Sequence, residues 1–163
     1  TRRAAAIKAR KHAEKHGVKT AISLSDPGMV EFFTGGLKEM IGDKVDLLFC
    51  NKDEAMGWAN TDNVDDALEE LKKASHQIAI TLGDDGALIF DGKETHVIEA
   101  HDITAIDSNG AGDMFAGALL YGITHDMPLP QAGQLACRAA AEVVSRFGPR
   151  LPLELHTSLL KQL

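Results

Sequence analysis

Cysteine is scarce in this sequence: Cys50 and Cys137 are the two among 163 residues. They lie far apart and fit neither a disulfide framework nor a Cys-x-x-Cys metal site. Each sits in an apolar stretch, so both read as buried free thiols of a reducing, cytoplasmic setting. Basic charge is also short. Against 24 Asp plus Glu stand 17 Lys plus Arg, a formal net charge of −7, which disfavours nucleic acid as a general partner. No apolar run approaches the ~20 residues of a membrane span, so no membrane partner is expected. The opening residues lack the charged-then-apolar pattern of a secretory leader. Linkers, repeats and low-complexity tracts are missing too. What remains, 44% hydrophobic and 25% charged, is an ordinary globular composition. At this length a domain buries roughly 70% of its unfolded surface without staples.

The residues present form punctuated periodic segments. Residues 1–16, rich in Ala, Lys and Arg, read as a helix stopped by Gly17. It begins at Thr1 with neither initiator Met nor capping residue, so the sequence is expected to be a piece of a longer chain. Val18 to Leu24 reads as a short strand ending in the Ser25-Asp26-Pro27-Gly28 turn. Residues 29–41 place Met29, Val30, Phe32, Phe33, Leu37, Met40 and Ile41 at helical spacing. Val45 to Cys50 reads as a buried strand. Asn51 to Trp58 and Val64 to Ala74 read as short helices, the second with Leu68 and Leu71 inward.

Three strands are predicted next, at Gln77–Leu82, Gly86–Asp91 and Glu94–Glu99, with turns tight enough for an antiparallel meander. Helices follow at about 110–124, 129–147 and 153–162. The first is almost wholly small or apolar and is expected to be buried all round. Strands alternating with helices, plus a hairpin edge, predict a layered α/β sheet.

Three segments carry candidate chemistry. Asp107-Ser108-Asn109-Gly110-Ala111-Gly112-Asp113 opens the apolar helix. Small residues at 110–112 let a ligand approach the backbone, and the first N–H groups of a helix lack internal partners. With the helix dipole they suit a phosphate. Asp113 sits beside that pocket, where a carboxylate takes a proton from an attacking hydroxyl while N–H groups hold the charge on a moving phosphoryl group. The plainer reading is a Gly-rich turn with an acid placed for the dipole. Thr81-Leu82-Gly83-Asp84-Asp85-Gly86 joins two strands and suits a nucleotide phosphate or ribose, or is an ordinary hairpin. Asn51-Lys52-Asp53-Glu54 follows a buried strand, where open α/β sheets hold ligands. Asn51 and Glu54 suit hydrated Mg²⁺, or form a capping-box-like pair. No Gly-Lys-Ser/Thr makes a Walker A loop, and Gly110, Gly112 and Gly117 miss the dinucleotide spacing.

Together these segments resemble the ribokinase-like (phosphofructokinase-B type) sugar and nucleoside kinases. Residues 107–113 resemble that family's C-terminal Asp-Thr-x-Gly-Ala-Gly-Asp signature, with Ser108 replacing Thr. Asn51-x-x-Glu54 resembles its Asn-x-x-Glu motif, and Thr81-x-Gly83-x-x-Gly86 its nucleotide strand-turn, in the family's order. The resemblance implies a layered α/β/α sheet with an antiparallel meander edge. It also implies that residues 1–163 are the C-terminal, catalytic and ATP-binding part of a longer domain, without the lid and most of the acceptor site. Asp113 would be the base and Gly110, Ala111 and Gly112 the anion hole. Asn51, Thr81, Gly83, Asp84, Gly86, Gly112 and Cys137 would line the ATP site, Cys137 on the helix over the adenine. Glu54 would act on Mg²⁺ through water. Asp107, Asn109, Val143, Arg146 and Gly148 would form a loop for a monovalent cation such as K⁺. The acceptor would be a small nucleoside or sugar, and a homodimer would form through the lid region. Ile22 to Pro27 and Asn109 look more like adenosine kinases than ribokinases.

Two alternatives stand beside this reading: a non-catalytic nucleotide-binding module and, less favoured, a dinucleotide-dependent oxidoreductase. A ribokinase- or fructokinase-type sugar kinase is the alternative within the family. His12 and His16, spaced i, i+4, read as a solvated helix face without a third ligand. The basic residues from Arg2 to Lys19 read as a polar face. Trp58 reads as packing.

Overall fold

Among the described residues, 2–161, the computed structural model contains seven α-helices and five strands. Thr1 and Gln162, the outer ends of the predicted first and last helices, lie outside the described residues. The elements run α1 (Arg2–Lys15), β1 (Ala21–Ser23), α2 (Pro27–Ile41), β2 (Val45–Asn51), α3 (Lys52–Ala59) and α4 (Val64–Leu71). There follow β3 (Ser75–Thr81), β4 (Ala87–Phe90), β5 (Thr95–Ile98), α5 (Ala111–Thr124), α6 (Leu129–Val144) and α7 (Leu153–Leu160). The strands form one mixed sheet in the order β1-β2-β3-β4-β5. Residues 82–86 and 91–94 are connections too short for a crossover, so β3, β4 and β5 make the expected antiparallel meander. No described helix is long and apolar enough to cross a membrane.

Two compact units are present, one from the chain up to Ile80 with Phe90–Glu94, the other from Thr81–Ile89 and the chain from Thr95 onward. In the first unit, β1 pairs in parallel with β2, Ile22 opposite Leu48, and α2 supplies the crossover. β1 is shorter than the predicted Val18–Leu24 because the residues before it are engaged elsewhere. Lys19 Nζ and the Thr20 N–H donate to the Asp46 carboxylate at 2.7 and 2.8 Å, and Val18 is exposed. The Ser25–Gly28 turn proves to be a helix start. Asp26 accepts the Met29 N–H at 3.0 Å and Pro27 takes the first helical position, where its missing donor costs nothing.

α2 buries Val30, Leu37 and Ile41, but Phe32 and Phe33 are 73% and 59% exposed. Phe32 lies on the face opposite Val30, Leu37 and Ile41, and the helix kinks at Phe33 (φ −130°, ψ 19°). The Thr34 hydroxyl donates back to the Val30 carbonyl, and Gly35-Gly36 follow; both features bend helices. Leu68 and Leu71 point inward as predicted, and Trp58 is packing, with the Lys38 ammonium 5.4 Å from its ring centre. α1 buries no residue, and the His12 and His16 rings lie side by side on its exposed surface.

In the second unit α6 covers the hairpin and packs on α5. A Cβ on Gly133 would come within 2.5 Å of Ile89 Cδ1, and one on Gly122 within 2.5 Å of the Ala132 side chain. Glycine lets both surfaces close. Leu135, Ala139, Val143, Leu151 and Leu159 form a core lined by Met114 and Ala118. α5 is not buried all round. Phe115, Leu119 and Gly122 are buried, whereas Leu120 and Tyr121 are exposed on another face. Its small residues signal close approach on one side, not enclosure on every side. The predicted helix 129–147 ends at Val144, where Ser145 closes it and Phe147 turns outward.

Candidate active site

The start of α5 is built around Gly110. Its φ of +81° is a left-handed conformation, and a Cβ there would lie 2.4 Å from the Pro149 carbonyl oxygen. Only glycine meets both demands. As the N-cap, Gly110 offers no side chain to the first turn. The Ala111 N–H donates to the Ser108 carbonyl at 3.2 Å, while the N–H groups of Gly110, Gly112 and Asp113 have no backbone acceptor among the described residues. A Cβ on Gly112 would meet nothing within 4 Å, so the approach to these donors is open. Asp113 stands exposed in the same turn. Donors without a cap, at the positive end of a helix dipole, beside a free carboxylate, suit an anion and proton transfer.

The lead-in to α5 is tied to the last residue of α6 and the segment after it. Val144 O accepts the N–H groups of Ile106 and Asp107 at 2.9 and 3.2 Å. Asp107 Oδ1 accepts the Asn109 N–H and Oδ2 the Gly148 N–H, both at 3.0 Å. These two donors hold the Asp107 carboxyl below the ordinary carboxylate range. The structure thus brings Asp107, Asn109 and Gly148 together. The carbonyls of Asn109, Arg146 and Gly148 accept no backbone hydrogen bond among the described residues, which fits a monovalent cation held by oxygens beside one carboxylate. Val143 is fully buried and its carbonyl accepts the Arg146 N–H at 3.4 Å; Arg146 pairs with Glu142.

Thr81 ends β3 and a 3₁₀ turn spans Gly83–Asp85. Gly83 (φ +64°) and Asp84 are exposed at the tip. Gly86 is buried, its would-be Cβ 2.0 Å from the Ile98 carbonyl oxygen, so it seats one strand against the other. Cys137 lies one turn beyond Gly133, on the face of α6 that meets Ile89 and Ile98. It is a buried thiol as predicted, and burial pushes it up to about 11.

In the other unit, Asn51 and Glu54 form the reciprocal capping box. Asn51 Oδ1 accepts the Glu54 N–H at 2.8 Å, while Glu54 takes the Asn51 N–H at 3.0 Å and its side-chain amide at 2.9 Å. Burial, with the nearby charges of Asp26 and Asp53, raises the Glu54 carboxyl above its ordinary value despite the hydrogen bond from Asn51. Each Glu54 oxygen keeps a lone pair, and the acidic surroundings favour a cation. That set fits a Mg²⁺ ion that keeps its waters, not one caged by protein. Cys50 next door is buried too, its thiol shifted upward.

Sequence reasoning missed Val144 and Pro149. The Gly148-Pro149 pair marks a turn, but only the fold reveals that Pro149 forms the seat of Gly110.

Over residues 1–155 the sequence matches the pfkB family of carbohydrate kinases. It is 31% identical over 159 residues to adenosine kinase 1 of Arabidopsis thaliana, covering 88% of this chain and 46% of that protein. Among solved structures, the adenosine kinase of Sinorhizobium meliloti superposes with a TM-score of 0.91 at 31% identity, over 98% of this chain and 49% of that one. A probable sugar kinase of Rhizobium etli CFN 42 gives 0.90 at 33% identity, over 97% and 48%. The chain spans about half the length of these relatives.

Proposed function

Because the chain belongs to the pfkB family of carbohydrate kinases, we propose that it is the ATP-binding and phosphoryl-transfer part of a kinase acting on a hydroxymethyl group of a nucleoside or sugar. The observation that carries this reading is the uncapped start of α5, with three free N–H donors beside the exposed carboxylate of Asp113. Asp113 takes the proton of the acceptor hydroxyl. The Gly112 and Asp113 N–H groups hold the charge that builds on the transferred phosphoryl oxygens, and the chain contributes mainly position. ATP lies against the Thr81–Gly83 turn and α6. Asn51 and Glu54 hold hydrated Mg²⁺, which neutralises phosphate charge when bound. Asp107 with the carbonyls of Asn109, Val143, Arg146 and Gly148 takes a monovalent cation such as K⁺.

Adenosine is the acceptor we favour, since two relatives that align with most of the chain are adenosine kinases. The acceptor site itself is drawn largely from residues outside these 163, as coverage of about half of each relative suggests.

Two assays test the reading. The full-length protein is offered ATP with a panel of nucleosides and sugars, and its Asp113→Asn variant should turn over about 10²–10⁴-fold more slowly. A variant that keeps the parent rate removes Asp113 from the base role. The 163-residue chain alone should gain melting temperature with ATP yet phosphorylate nothing; efficient turnover by it would sink the placement of the acceptor site.

A further inference from the structure

Gly110 begins α5 without a side chain, so whatever aims the free donors of that helix must act from elsewhere. Three ties hold the lead-in to the end of α6 and the segment after it: the Val144 carbonyl, the contact of Gly110 with Pro149, and the carboxylate of Asp107. Of these only Asp107 works through a polar side chain. One oxygen closes a local turn on the Asn109 N–H; the other reaches the Gly148 N–H, 41 residues away. The residue after Gly148 is the proline on which Gly110 sits without clearance. A single carboxylate therefore fixes both sides of that seat.

We propose that Asp107 is a positioning residue for phosphoryl transfer: by clamping the Asn109 and Gly148 amides it seats Gly110 on Pro149 and sets the direction of the α5 donors. This rests on the kinase reading above and adds a role distinct from holding a cation. Charge-assisted bonds to backbone N–H groups are among the stronger hydrogen bonds. A misplacement of about 1 Å costs on the order of 10²-fold in rate when catalysis is chiefly positional.

The test uses the full-length protein and its Asp107→Asn variant. The amide keeps one acceptor but turns N–H donors toward a second N–H. The expected result is a kcat lower by about 10- to 100-fold, KM values for ATP and acceptor changed by less than about threefold, and saturating K⁺ giving no recovery. Hydrogen exchange at Asn109 and Gly148 should quicken. An unchanged kcat overturns the proposal, as does a loss confined to KM or one restored by K⁺, because each makes Asp107 a binding ligand instead. Should Asp107→Asn fail to fold, Pro149→Gly loosens the same seat and must show the same kcat-only loss. If the protein phosphorylates no acceptor at all, the kinase reading fails, but the exchange measurement still decides the clamp: protected amides in Asp107→Asn refute it.

Discussion

The guanidinium of Arg10 lies over Gly42, so close that a Cβ on Gly42 would sit 2.5 Å from the guanidinium carbon. Arg10 Nε donates to the Met40 carbonyl at 2.7 Å, and the same side chain pairs with Glu14. An arginine from α1 thus finishes the C-terminus of α2, where carbonyls lack helical partners. With Arg3 near Glu39 at 3.4 Å, this polar docking holds a helix that buries no residue.

Gly42→Ala should therefore destabilise the chain by about 1–3 kcal/mol, since the position has φ +73°, which a side chain rarely tolerates, and the methyl group would also push the Arg10 guanidinium off its seat. The midpoint of urea unfolding measures it. Adding Arg10→Ala should relieve the steric part only, leaving the backbone strain.

Gly110→Ala and Gly112→Ala should separate folding from catalysis. At Gly110 the methyl meets Pro149 and a left-handed backbone, so stability falls by about 1–3 kcal/mol and turnover is lost. At Gly112 the methyl enters open space, so the melting temperature holds while turnover falls through obstruction of the donors. Equal turnover in Gly112→Ala and the parent would move the anion elsewhere.

Glu54→Gln should retain the fold, because glutamine at this position also closes a capping box. The Glu54 carboxyl is raised in the folded state, so the folded chain binds its proton more readily than the unfolded chain does. Its contribution to stability is then fullest at low pH and declines as pH rises from the ordinary value of 4.5 through the raised folded value. Glu54→Gln abolishes that slope and leaves stability at neutral pH no lower than the parent, while Mg²⁺-dependent turnover falls. Denaturation curves across this pH range, alongside Mg²⁺ titrations, check both halves.

Cys137, pushed up to about 11, and Cys50, shifted upward as well, should react slowly with a thiol reagent at neutral pH and fully once unfolded. Raised thiols also make the fold weaker in alkali. The unfolded chain loses these protons first, so stability drops as pH rises above the ordinary value of 9.0. Rapid labelling of either thiol in the native protein would contradict their burial.

Much of this was legible from residue order. Gly17, with φ +66°, stops α1; Leu68 and Leu71 face inward; the capping box of Asn51 and Glu54 was already an alternative in their spacing. What escaped depends on contacts rather than on period. Phe32 and Phe33 sit at helical spacing, but period alone reveals neither their exposure nor the kink at Phe33, beside the Thr34 hydroxyl that bonds backwards. Leu120 and Tyr121 share a helix with buried neighbours, and composition does not say which face α6 covers. At the candidate site the glycine-rich start of α5 is visible as a motif, while the contacts of Val144 and Pro149 arise from pairing across the fold. The close approach of Gly86 to the Ile98 carbonyl is likewise a contact that residue order does not reveal.

A helix usually completes its own first turn as it folds; α5 begins at Gly110 with no side-chain cap, and on the proposed reading a bound anion would complete that turn. With glycine at the cap, the folded chain forgoes only about a few tenths of a kcal/mol relative to a Ser or Asn cap. An anion that filled the donors and bound only the folded chain would return more than this, about 2.7 kcal/mol at a hundred times its Kd. Ligand occupancy and resistance to proteolysis are then one equilibrium. On the proposed kinase reading, the chain without nucleotide would be cleaved faster as well as stand idle.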